Sequence, residues 1–303
     1  MGIISSSNHP KLHWPGVKAI WGQVYNEHQK EYPDLFDIDT STKGWEEDVK
    51  ITAHPLAPIQ GEGESVSYAS DSQSYVTRYT HVGYGLGFIV TRIELADNQY
   101  PIVAKRRAKA NAFSMRQTKE VVSANVYNRA FSSNYPGGDG VAILSDSHPD
   151  DQGGTWSNIL ATPADLSEVA LEDLLTQIMT SEDGLGNKIN IMPMSLHIHP
   201  SNWWEANRIL KSVLQSNSAE NNINVLKATN ALPKGIKMNH YFTDTDAWFV
   251  RTNIQNGMIM YNRENFPLKK DNDFATDNCL AKSYMRFSVG NTDPLGLFGS
   301  AGA

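Results

Sequence analysis

Residues 99–131, QYPIVAKRRAKANAFSMRQTKEVVSANVYNRAF, decide the architecture. They read as one helix of roughly 30 residues, about 45 Å at 1.5 Å per residue. Ala110, Phe113, Val121, Ala124 and Phe131 recur close to whole helical turns and mark the expected buried stripe. The charges are lopsided: Lys105, Arg106, Arg107, Lys109, Arg116, Lys119 and Arg129 stand against the single acid Glu120. A helix of this length suits a structural spine better than a support for an enzyme site. It stops in SSNYPGGDG, residues 132–140, where Pro136 and the Gly137–Gly138 pair break it.

On the N-terminal side, PIQGEGESVSYASDSQSYVTRYTHVGYGLGFIVTRIEL (58–95) opens on a flexible corner at Gly61 and Gly63 and becomes rich in β-branched and aromatic residues. It predicts a long hairpin whose Ser-rich tip, with Val66, Tyr68, Tyr75 and Val76 as its few anchors, has too little to bury alone. Residues 1–50 read as a loosely organised arm. Helical spacing shows briefly at Val17, Ile20, Val24 and His28. Glu31, Asp34, Asp37, Asp39, Glu46, Glu47 and Asp48 follow against Lys43 alone, a solvated acidic face or a docking surface for a basic partner.

On the C-terminal side, LATPADLSEVALEDLLTQIMTSEDG (160–184) predicts a second helix, capped by Asp165 or Ser167, with Ala170, Leu171, Leu174, Leu175 and Ile178 buried and Gly184 past its end. INIMPMSLHIHP (189–200) reads as a strand, and SNWWEANRILKSVL (201–214) as a helix with Trp204, Ile209 and Val213 on one face. INVLKA, GIKMNHYF, AWFVRTN, GMIMYNRE and KSYMRFSVG all read as strands. Helices on a mixed sheet give an α+β class.

Three stretches invite a chemical reading. His197 and His199 alternate along a strand and could face one metal, but a hydrolytic site needs a third ligand and usually a carboxylate, and no motif gathers them. His148, in DGVAILSDSHP (139–149), has Asp146 and Asp150 close by and reads as a loop-holding residue whose ring bonds backbone groups. GYGLG at 83–87 lacks the spacing and lysine of a phosphate loop and runs into a strand. No GxSxG elbow is present. We therefore assign no catalytic, cofactor-binding or metal residues, expect no cofactor, and expect no enzyme.

The order of these parts resembles the major capsid proteins of tailed bacteriophages, those of the Hong Kong 97 capsid fold, and among them most the major head subunit of Mu-like phages. In GDGVAILSDSHP, Gly140, Leu144, Ser147, His148 and Pro149 match the segment after the family's spine helix. In NIMPMSLHIHPSNWWEANRIL, Pro193, Leu196, Pro200, Ala206 and Leu210 fit its axial-domain strand and helix. DTDAWFV is similar to the strand near the axial tip, and RFSVGNTDPLGLFGSAGA to the tail of Mu-like head subunits. The resemblance implies an N-terminal arm (1–54), an extended β-hairpin or E-loop opening the peripheral domain (55–94), a peripheral domain with the spine helix (95–149), an axial domain (150–265), and a return to the peripheral domain with a tail (266–303). It makes His148 a structural residue fastening the passage between the two domains. It further implies a non-enzymatic shell of hexamers and pentamers around double-stranded DNA, touched through non-specific contacts at most. The expected location is the virion, assembled in the bacterial host cytoplasm. A scaffolding protein, a portal and a decoration protein are the partners it suggests. An encapsulin-like protein nanocompartment is the alternative. Some relatives join subunits through a Lys–Asn isopeptide bond, but segment 60–78 has no lysine to offer.

Composition agrees with these expectations. The chain has 303 residues, 40% hydrophobic and 19% charged, with a net charge of −7, so any surface attractive to nucleic acid must be local. Cys279 is the only cysteine, which excludes an internal disulfide framework and a Cys-rich metal site. No run approaches 18 apolar residues, and the polar start MGIISSSNHPKLHWPG lacks the apolar core of a secretory signal, so no membrane partner is expected and the protein reads as soluble.

Overall fold

The computed structural model describes residues 10–27, 29–70, 72–97, 100–215 and 222–303. Two helices, α1 (Pro10–Tyr25) and α2 (Tyr32–Leu35), lead into strands β1 (Asp37–Thr40), β2 (Trp45–Ile51), β3 (Gln73–Thr80) and β4 (Val82–Val90). After the short α3 (Arg92–Ala96) comes the spine, α4 (Tyr100–Asn128). The two-residue strands β5 (His148–Pro149) and β6 (Thr155–Trp156) precede α5 (Glu168–Met179), β7 (Pro193–Ile198), α6 (Trp203–Lys211), α7 (Val225–Ala228), β8 (Ile236–Met238) and β9 (Trp248–Thr252). The long strands β10 (Met258–Asn272) and β11 (Cys279–Asn291) are followed by β12 (Leu297–Ser300). The α+β expectation holds.

Two four-stranded sheets organise the chain, one in the order β1-β10-β11-β4 and the other β12-β9-β7-β8. The first packs beneath α4 and α1 around Met260, Met285 and Phe287; the second packs with α5 and α6 around Leu171, Leu196, Trp248 and Phe298. Strand β11 lies in the first sheet, whereas Leu297–Ser300 add an edge to the second, so segment 266–303 divides between them. The chain crosses between the sheets at 253–257 and 292–296, and there the backbones touch. A Cβ on Gly257 would sit 2.5 Å from the Cα of Gly296, so no side chain fits at this crossing.

The spine forms where the sequence places it, but its buried face is another one. Ala110, Phe113 and Val121 are exposed, while Ala124 is buried and Phe131 half-buried. The face in contact runs Ala104, Ala108, Ala112, Met115, Lys119, Ser123, Tyr127 and Ala130. Alanines at four-residue spacing let α1 and β4 approach closely, and Asn111 locks the layers together. It accepts from Trp21 Nε1 at 2.9 Å and Ser283 Oγ at 2.7 Å, and donates to the Leu86 carbonyl at 3.0 Å.

Helix α5 follows its expectation in full: Ser167 caps it through the Ala170 N–H, and all five stripe residues are buried, each worth about 1–3 kcal/mol of transfer free energy. Other expectations are corrected. INVLKA forms α7, because the Asn224 side chain accepts from the Lys227 N–H and starts a helical turn. Trp204 and Val213 point outward; Ala206 and Ile209 face the core of α6. The hairpin is built from β2 and β3, paired from Trp45↔Thr80 to Ile51↔Gln73, so it begins in the acidic stretch before residue 55. Strand β4 leaves it and pairs with β11.

Nor are the described residues between 10 and 50 loose. Trp21 and Tyr25 are buried against α4 with their rings stacked at 5.0 Å, and residues 31–37 stitch both cores together. The Glu31 and Tyr32 N–H groups donate to Glu120 at 3.1 and 2.8 Å, Lys237 pairs with Asp34 at 2.9 Å, and Arg251 reaches Asp37 at 3.0 Å. His28 and the side chain of Val17 lie outside the described residues.

Candidate functional site

His148 is fully buried. Its Nδ1 lies 2.6 Å from Asp139 Oδ2, and its ring stacks on Trp156, its partner across the β5–β6 ladder, at 4.9 Å. Asp146 and Asp150, near in sequence, are not the partner. The Gly-rich turn after α4 brings Asp139 back to the Nδ1 edge of the ring instead. The pair ties the end of the spine to the segment leading into the second core.

His197 and His199 are engaged separately. His197 is buried, with Nε2 2.9 Å from Ser195 Oγ and its ring against Tyr127, and burial holds its pKa well below the usual value, so it is neutral. His199 falls just past the strand and accepts from the Ser201 N–H at 3.1 Å, capping a single 3-10 turn. Among the described residues no group of three His, Cys, Asp or Glu side chains could hold a metal ion. GYGLG lies within β4, an outer strand of the first sheet.

The spine's charges divide into two sets. Arg116, Lys119 and Glu120 are buried. Arg116 donates to the Gln29 carbonyl. Lys119 donates to Asn262 Oδ1 at 2.7 Å with Nζ over the Tyr32 and Phe287 rings. Desolvation, then the nearby Lys30 charge, lowers the Lys119 pKa to about 8. Burial raises the Glu120 pKa, against the two backbone N–H bonds that favour its carboxylate. Arg107 pairs with Glu94 at 2.8 Å, and Arg129 lies over the Tyr135 ring. Lys105, Arg106 and Lys109 are exposed, with no ion pair among the described residues. The acids of the arm do not meet them: Glu46 holds Lys43, Glu47 faces Arg78, and Asp48 lies near Asn256.

Lys119 gives a signed pH dependence. Its folded pKa is about 8 against an ordinary 10.5, so between these values the unfolded chain binds the extra proton and stability rises with pH. From pH 8 to 10 the lysine alone contributes a gain on the order of 2 kcal/mol, while buried tyrosines such as Tyr25, raised to about 12, lower stability over the upper part of the same range as they ionise in the unfolded chain. The tyrosines act alike in the parent and in Lys119→Met, so urea unfolding should show the parent gaining about 2 kcal/mol relative to the variant from pH 8 to 10; equal slopes in the two would contradict it.

The four most exposed large apolar side chains among the described residues lie on projections. Between β2 and β3, the described residues of 52–72 have no regular structure beyond a turn at Gly61–Glu64, and Leu56, Ile59, Val66 and Tyr68 are 78, 99, 60 and 92% exposed. At the tip of the β10–β11 hairpin Phe274 is fully exposed. The buried histidines and charges described above thus serve the fold.

Comparison with known proteins gives the family. A family model described as phage capsid protein matches residues 74–299. The chain belongs to the phage capsid protein family. Its fold is also found in the capsid of a native GTA particle, at 10% identity and TM-score 0.55, with 90% of each chain covered. A chain from a structure of Microbacterium phage Oxtober96 is similar at 10% identity and TM-score 0.53, over 91% of this chain and 92% of that one. A virus-like particle from Pyrococcus furiosus is similar at 11% identity and TM-score 0.52, over 94% and 97%. No curated protein matches by sequence. The chain therefore has the phage major capsid fold, the Hong Kong 97 fold.

Proposed function

We propose that this chain is the major head subunit of a tailed phage, close to the Mu-like head proteins, and that it assembles as hexamers and pentamers into a closed icosahedral shell around double-stranded DNA. The carrying observation is segment 52–72, whose four large apolar side chains have no cover within the chain. Burial against a neighbouring subunit is the outcome their physical chemistry favours. In this reading residues 55–94 contribute the E-loop and the start of the peripheral domain, the spine and its following loop lie in 95–149, and the axial domain spans 150–265. The chain acts without catalysis. Lys105, Arg106 and Lys109 form the exposed cationic set, available to acids of a neighbouring subunit or to phosphate without reading sequence. Scaffolding, portal and decoration proteins are its partners, and assembly takes place in the host cytoplasm.

Purified protein under assembly conditions should give megadalton species by light scattering and closed shells by negative-stain microscopy. A persistent monomer at high concentration would sink the reading. The similarity to the Pyrococcus particle motivates a protein nanocompartment as the second reading. Shells isolated from the native source would then hold protein cargo in place of DNA.

A further inference from the structure

A cleft of about 570 Å³ opens where the middle of the spine, the stitching residues 29–34 and strand β8 meet. That volume falls within the range of small-molecule sites, about 300–1,000 Å³. Its apolar walls are Phe113 of α4, Trp203 of α6, Ile236 and Met238 of β8, and Tyr241. Phe113 is one of the residues whose spacing placed it in the spine's buried stripe, yet it is 46% exposed and faces this cleft. The polar side holds Arg116, Lys237 and His240 together with the acids Glu31 and Asp34.

These polar groups are not equally satisfied. Asp34 is held by Lys237 at 2.9 Å, and Glu31 spends both oxygens on His240, at the backbone N–H (2.9 Å) and at Nδ1 (2.5 Å). Arg116 differs. It is 7% exposed, one Nη donates to the Gln29 carbonyl, its Nε has no partner, and it forms no ion pair among the described residues. With two cations, two acids and a histidine, formal charge does not choose a ligand; the spare donor does. An unused donor on a buried charge is costly until an acceptor meets it, and the planar guanidinium fork fits a carboxylate best. Glu31 and Asp34 disfavour anything of higher negative charge, such as a phosphate dianion. The remaining walls ask for a flat or branched apolar body.

We propose that this cleft binds a small amphipathic monocarboxylate, its acid group on Arg116 and its apolar body against Phe113, Trp203 and Met238. Such a ligand touches α4, β8 and the start of α6 at once, and so braces the first core against the second sheet. The site is independent of the shell reading and is tested separately from it.

Benzoate is the probe. Titrated into the unassembled full chain at constant ionic strength, it should shift the Arg116 Nε–H and Trp203 indole N–H resonances together and saturably in nitrogen-15 NMR spectra. Followed at Trp203, binding should weaken by about tenfold or more in Arg116→Met, which removes the charge-assisted contact. Arg116→Met also leaves the Gln29 carbonyl without its donor and could fail to fold, so Phe113→Ala provides a second variant at an exposed helix position; there binding should weaken by about three- to tenfold. Sulfate at the same ionic strength should compete at least tenfold less well than benzoate, because it has no apolar body to bury. A parent chain whose Arg116 signal does not move saturably overturns the proposal. So does unchanged affinity in Phe113→Ala, or sulfate competing as well as benzoate, since either result reduces the cleft to a bare anion contact.

Discussion

Tyr127→Ala should lower the free energy of unfolding by about 3–5 kcal/mol, the range for truncating a fully buried aromatic side chain. Tyr127 is the point where three parts of the chain meet. Its ring contacts Phe36 from the N-terminal stitch edge-on at 5.9 Å, Phe242 stacked at 5.5 Å, and Phe249 of β9 edge-on at 5.3 Å. Its hydroxyl donates to the Leu35 carbonyl at 2.8 Å. Alanine here would leave a cavity walled by rings that rigid backbones on three sides hold apart, so collapse cannot fill it. Tyr127→Phe removes the hydroxyl alone and should cost about 1 kcal/mol. Urea unfolding of the two variants separates volume from hydrogen bonding; a loss below about 1 kcal/mol for the alanine variant would show that the three parts are not coupled through this ring.

The second large effect concerns assembly with the fold kept intact. Deleting residues 55–69 and closing the gap with a short Gly–Ser link should abolish shell formation while changing subunit stability by less than about 0.5 kcal/mol. The base of the hairpin survives the deletion, since the Thr52 N–H donates to the Ser72 carbonyl at 3.0 Å and the Ser72 N–H to Thr52 Oγ1 at 2.9 Å. What is lost is Leu56, Ile59, Val66 and Tyr68, which contribute nothing to the isolated fold because they touch little in it. Each is worth about 1.5–3 kcal/mol when fully covered, before the cost of ordering the loop. Size-exclusion with light scattering beside circular dichroism reads both quantities, and normal particles from the deletion would remove the segment from the assembly mechanism.

The sequence made the spine, helix α5 and most strands of the two sheets legible, because each carries a local signal: periodicity, a cap or β-branched enrichment. What it hid was decided by distant contacts. The spine has apolar residues on more than one face, and spacing alone could not rank Phe113 and Val121 below Ala104, Ala108 and Ala112; close approach by α1 and β4 ranked them. Lys119 and Arg116 sit on the buried face because their long stems lie among apolar neighbours while their charged ends reach Asn262 and the Gln29 carbonyl. Acids alternating along β2 masked a strand, since both faces of that hairpin are largely solvated. His148 was recognisable as structural, but its partner was not: Asp139 lies nine positions upstream, and only the turn at Gly137–Gly140 shows that the two meet.

The order in which the sheets are completed has a consequence during synthesis. The first sheet needs β11 between β10 and β4, and the second needs β12 beside β9, with Phe298 sealed in the second core and Leu297 in the first. A nascent chain that has not reached residue 300 leaves the second sheet without its edge, and one that stops before residue 279 also leaves the first sheet without β11. The second core is therefore sealed last, and a chain released early would leave open the apolar face that Phe298 covers.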